Sequence, residues 1–147
     1  MINIKDEKLM HLVHDSRNLI EIRQLLKDSI KMVESGNVLI GLDITDLEEL
    51  LKDYKELHIG MVNSKDTSNS AELVEELIKS TKADVSVCNS VYLYLKGDVS
   101  LMEVNEVATS LEEKLGEEVN IVFTATYSEI VPDEYGVMAL FLYDGEM

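Results

Sequence analysis

The sequence predicts an α+β fold, an α/β sandwich with a four-stranded mixed sheet. Two helices lie on one face, and a long N-terminal helix precedes the sheet. Three observations predict it. Segments with apolar residues at helical spacing alternate with segments of period two. Helices interleave with strands early, whereas the last two strands follow one another and are expected to pair as a hairpin. No repeat, linker or low-complexity tract interrupts this order, so residues 1–147 read as a single domain. Within it, 1–36 hold an N-terminal segment and the long helix, 37–54 an acidic loop and short helix, and 55–147 the sheet region.

Residues 17–34, RNLIEIRQLLKDSIKMVE, place Leu19, Ile22, Leu25, Leu26, Ile30 and Val33 on one broad apolar stripe. Asp15 or Ser16 can cap the start, and Gly36 with Asn37 can close the end in the left-handed conformation. The apolar piece Val38, Leu39, Ile40 leads into GLDITDLEEL, and residues 46–54 read as a short helix. Residues 55–63 alternate Leu57, Ile59 and Met61 against His58, Gly60 and Val62, a strand pattern.

A polar stretch ending in Asn69 can cap the helix SAELVEELIKS at 70–80. Residues 84–96 place Val85, Val87, Val91, Leu93 and Leu95 on one side and Tyr92 and Tyr94 on the other. They read as one long strand with a bulge at Asn89 and Ser90. Gly97 and Asp98 make a turn, Ser100 and Glu103 form a capping box, and a helix runs to Leu115 before Gly116. Strands at 118–127 and 136–144 end the chain, joined by the segment with its one proline.

Composition narrows the function. The chain has 147 residues, of which 46% are hydrophobic, the content of a folded domain. Its 29 acidic against 13 basic residues give a net charge of −16. A field of that sign repels phosphate backbones and anionic membranes, so neither nucleic acid nor membrane insertion is expected. The single cysteine, Cys88, excludes an internal disulfide and a cysteine-based zinc site. No secretory leader or membrane-spanning run is visible, so a cytoplasmic location is expected.

Candidate sites are few. The seven glycines are never clustered, whereas a phosphate cradle needs neighbouring glycines so that backbone amides can approach the anion. No nucleotide cofactor is therefore expected from this chain itself. His11 and His14 are three apart but have no third placed ligand, and His58 stands alone, so no metal is expected.

Both alternations of the last strand are apolar, which calls for cover on both sides of the sheet. Tyr92, Tyr94, Met138, Leu140 and Leu142 are then either covered by the first helix or an interface for a partner. Asp43 and Asp46 pose a similar choice. By spacing they are a helix cap with added negative charge at the positive end of the helix dipole.

The run LLKDSIKMVESGNVLIGLDITDLEELL resembles the central helix and following loop of the bacterial cell-division GTPase FtsZ, in the tubulin/FtsZ superfamily. The family's loop has the form NxDxxD. HIGMVNSKDTSNSAELVEELIKS is similar to its next strand and helix, and GDVSLMEVNEVATSLEEKLGEEVNIVFTATYSEIVPDEYGVMALFLYDG to its end. The match covers residues 17–145.

The resemblance implies the family's C-terminal domain with its central helix, without the family's GTP-binding half, which would lie before residue 1. In FtsZ the loop carboxylates reach the GTP of the next filament subunit and help polarise the attacking water. By position these are Asp43 and Asp46, catalytic only in trans. Gly41 stands where the family has asparagine, removing a side-chain contact to nucleotide, and Thr124 stands where it often has glycine.

The implied function is protein association, with itself as a homodimer or oligomer or with an FtsZ-type subunit, in a cell-division or cytoskeletal setting. Gly41, Asp43 and Asp46 join the aromatic and apolar positions above as interface candidates. Such a domain is not expected to be an enzyme on its own. A fragment or split half of a GTPase is the alternative, with GTP entering only through a paired GTP-binding domain. A regulatory domain binding a small molecule on the same scaffold is a further one.

Overall fold

The computed structural model describes residues 19–36, 38–42, 44–51, 56–62, 70–81, 84–96, 101–126 and 136–143. In chain order these form α1 (Leu19–Glu34), β1 (Val38–Ile40), α2 (Ile44–Leu51), β2 (Glu56–Val62) and α3 (Ser70–Ser80). A 3₁₀ turn (Val85–Val87) follows, then β3 (Ser90–Lys96), α4 (Leu101–Leu115), β4 (Asn120–Thr126) and β5 (Gly136–Tyr143). The caps expected at Asp15, Ser16, Asn69 and Ser100, the turn at Gly97 and Asp98, and the histidines His11 and His14 lie outside the described residues.

The four expected strands are present, and the piece Val38–Ile40 adds a short fifth one at an edge, pairing antiparallel with β4. The sheet order is β1-β4-β3-β5-β2. This corrects the expected hairpin: β4 and β5 do not touch along their backbones. Instead β3 lies between them, parallel to β4 and antiparallel to β5. A parallel pair needs a long crossover, and α4 supplies it between β3 and β4. β5 then occupies the other side of β3 and pairs along its whole length with β2, Glu56 opposite Tyr143 and Val62 opposite Val137.

Burial follows from this order. On one face α3 and α4 pack Leu73, Val74, Leu77, Val104, Val107 and Leu111 against Val91, Leu93, Val137 and Phe141. On the other, Ile22, Leu25, Leu26 and Ile30 of α1, with Leu47 and Leu51 of α2, meet Leu57, Ile59, Tyr92, Tyr94, Leu140 and Leu142. The fully apolar last strand is thus the centre of a three-layer sandwich, covered on both sides.

Two local details differ from, or agree with, the pattern of the sequence. The single strand expected at 84–96 is broken. Asp84 accepts a hydrogen bond from the Ser86 amide at 3.1 Å and one from the Ser86 hydroxyl, which curls Val85–Val87 into a turn. Only Ser90 onward joins the sheet. Gly36 ends α1 with φ +77, and its amide donates to the Val33 carbonyl at 3.1 Å, the expected left-handed stop.

Candidate functional site

The segment after β1 carries most of the predicted site. It leaves the edge of the sheet at Ile40, passes through Gly41 and Leu42, and enters α2 at Ile44. Asp43 lies outside the described residues. Asp46, in the first turn of α2, is exposed, as are Thr45 and Glu49. Ile40, at 43% exposure, is among the few large apolar side chains open to solvent.

What fixes this segment is a contact that local sequence does not announce. The Leu42 amide donates to Oγ1 of Thr124 at 3.1 Å, across 82 positions of sequence. Thr124 Oγ1 in turn shares a 2.8 Å hydrogen bond with the Tyr92 hydroxyl, while the Ser29 hydroxyl of α1 donates to the Leu26 carbonyl at 3.0 Å. Thr124 and Tyr92 are completely buried. The result is a polar thread from the loop backbone through Thr124 of β4 to Tyr92 of β3.

Gly41 is tightly surrounded. A Cβ placed there would stand 2.6 Å from Cγ2 of Val33, 3.3 Å from Cγ2 of Thr124 and 3.4 Å from Cγ2 of Val38. The backbone of the loop therefore lies so close to α1 that any side chain at this position would require Val33 to shift. The two departures noted in the sequence, glycine in the loop and threonine in the strand, are neighbours, and Thr124 would touch a side chain placed at 41.

The aromatic and apolar candidates are placed differently. Tyr92, Tyr94, Leu140 and Leu142 are fully buried beneath α1, so of the two readings the cover is supplied by the helix. As an exposed interface these four are corrected: the apolar stripe of α1 meets them within the chain, so neither is left for a partner. Met138 is only partly buried and borders a cleft between α1 and the sheet, opposite Met61.

Near the same cleft the Tyr94 hydroxyl donates to Oδ2 of Asp28, whose same oxygen lies 3.2 Å from Nζ of Lys96. Burial raises the Tyr94 pKa far above the usual tyrosine range, and the hydrogen bond to Asp28 and its charge push the same way. Tyr92 is raised as well, chiefly by burial. Asp28 and Lys96 escaped the sequence reading. A signal was available in the polar stripe at Gln24, Lys27, Asp28 and Lys31, which follows helical spacing along α1.

Among the described residues no group of three or more His, Cys, Asp and Glu side chains could hold a metal ion. No described helix is long and apolar enough to cross a membrane.

These elements define the class of fold: an α+β domain whose mixed sheet carries two helices on one face and a long helix laid across the other. The particular likeness is to FtsZ. An empty FtsZ dimer from M. jannaschii superposes with a TM-score of 0.64 at 19% identity, covering 93% of this chain and 43% of that one. A tryptophan-to-tyrosine mutant of FtsZ from M. jannaschii gives a TM-score of 0.65 at 19% identity, with 92% and 44% covered. The chain thus spans less than half the length of those FtsZ chains. No protein-family model matches the sequence, and no curated protein does.

Proposed function

We propose that this chain works by protein association in a cytoskeletal or cell-division setting, binding a subunit of an FtsZ-type filament through the segment between β1 and α2. The observation that carries this is the contrast within that segment. Its backbone is pinned through Leu42 and Gly41, while Ile40, Thr45 and Asp46 face solvent. A loop ordered before it meets a partner pays less conformational entropy on binding. The FtsZ-like fold supports the setting, and the FtsZ of one similar structure is described as a dimer.

Self-association is the second form of the same reading. The apolar stripe of α1 gives it no support, because that stripe is buried on the sheet. Ile40 at the sheet edge and the loop remain as its surface.

Sedimentation velocity of the chain, alone and mixed with an FtsZ-type protein, tests both forms. A complex with the FtsZ-type protein, lost in Ile40→Asp/Asp46→Lys with the fold intact, is the expected result. A chain that stays monomeric in both samples at high concentration overturns association. GTP hydrolysis assisted in trans is a separate reading that rests on the exposed Asp46. It requires faster phosphate release from an FtsZ-type GTP-binding half when the chain is added, and loss of that gain in Asp46→Ala.

A further inference from the structure

An open cleft of about 520 Å³ runs between the polar stripe of α1 and the sheet. Its apolar wall is Leu25, Met61 and Met138, from α1, β2 and β5. Met61 is 41% exposed, although it stands beside a core in which its neighbours on β2 are buried. Clefts of this size hold small ligands, and methionine walls adapt to unbranched apolar chains.

The charge around the cleft runs against the rest of the molecule. In a chain of net charge −16, its lining among the described residues has three lysines, Lys27, Lys31 and Lys96, and a single carboxylate, Asp28. That carboxylate is already matched by Lys96 at 3.2 Å and by the Tyr94 hydroxyl. Lys27 and Lys31 are exposed, and neither forms an ion pair with a carboxylate among the described residues. An apolar wall next to positive charge, inside a repulsive negative field, selects a ligand with both features.

We propose that this cleft binds a small monoanion with an unbranched apolar body, of the fatty-carboxylate class. The body lies along Met61, Met138 and Leu25, and the carboxylate meets Lys27 and Lys31. Lys96 is held by Asp28 and keeps that carboxylate from repelling the ligand.

The probe is decanoate, titrated into the full chain labelled with ¹⁵N, with decan-1-ol as an uncharged body of equal length. Decanoate is expected to shift the amides of Asp28, Met61, Lys96 and Met138, and decan-1-ol to bind about ten-fold more weakly. Lys27→Glu/Lys31→Glu is expected to weaken decanoate binding by about ten-fold or more, with amide dispersion unchanged. Lys27→Gln/Lys31→Gln should fall between it and the unaltered chain. Equal binding of the alcohol and the acid, undiminished binding by the charge-reversed variant, or shifts absent from the cleft would each overturn the proposal.

Discussion

Gly41 and Thr124 lie against each other at the junction of the loop and β4, so close that a Cβ on Gly41 would come within 3.3 Å of the threonine methyl. The Thr124 hydroxyl meanwhile holds the next residue, accepting the Leu42 amide at 3.1 Å. Methyl and hydroxyl of one side chain thus set both the space and the position of the loop. A glycine at 124 would supply neither, and an asparagine at 41 would not fit beside Val33.

Gly41→Asn is therefore expected to destabilise the fold by about 1–3 kcal/mol through overpacking, measured by urea denaturation. The tightest contact is the 2.6 Å approach to Val33 Cγ2, a side chain whose removal makes room. Gly41→Asn/Val33→Ala should therefore be less unstable than the two single changes added together. Simple additivity would show that the steric account is wrong.

Thr124→Val keeps the shape and removes the hydroxyl, leaving the Leu42 amide and Tyr92 phenol without it. A loss of about 2 kcal/mol is expected for that, and about 1 kcal/mol for Tyr92→Phe. The double variant should lose less than the sum, since no phenol hydroxyl is then left buried without its partner. A double-mutant cycle with no coupling would refute the thread from the loop through Thr124 to Tyr92.

Gly60 marks where α3 presses on β2. A Cβ there would lie 2.7 Å from the Leu77 carbonyl oxygen, which is backbone and cannot rotate away. Gly60→Ala is expected to cost about 2 kcal/mol or more by prising helix from sheet. Its thermal midpoint should fall well below that of Gly116→Ala. There a Cβ meets nothing within 4 Å, and the penalty comes from the left-handed backbone at φ +105 alone.

Alkaline pH should unfold the chain gradually. Burial pushes the Cys88 thiol up to about 11, against about 8.5 in an unfolded chain. A proton held more tightly in the folded state stabilises the fold below the unfolded pKa, and that contribution is lost as pH rises through the folded one. Tyr92 and Tyr94, also raised, extend the loss upward from about pH 10. The urea midpoint should thus fall above about pH 8.5, less steeply at first in Cys88→Ala. At neutral pH, alkylation of the folded thiol should be slower than in urea by about two orders of magnitude.

Much of this architecture was legible because it is local. The stripe Ile22, Leu25, Leu26, Ile30 needs only the helical period, and it is the face that α1 buries. The bounds of α3 and the left-handed Gly36 follow from adjacent residues in the same way. The strand expected through Val85–Val87 failed because Asp84 offers the Ser86 amide a nearer acceptor than a neighbouring strand, and alternation alone does not weigh that competition.

By itself, then, the sequence determined the helices and the four long strands apart from the Val85–Val87 turn, which faces are apolar, and where Asp46 sits at a helix start. Only the tertiary structure decided that β5 pairs with β3 and β2 rather than β4, and that α1 rather than a partner covers Tyr92 and Leu140. It alone set Thr124 beside Gly41 and gathered lysines from α1 and β3 around the two methionines. The reason is physical: periodicity reports how a residue relates to its neighbours within a few positions. Strand order and cleft lining depend on contacts between distant segments, chosen by how all the buried surfaces are covered at once.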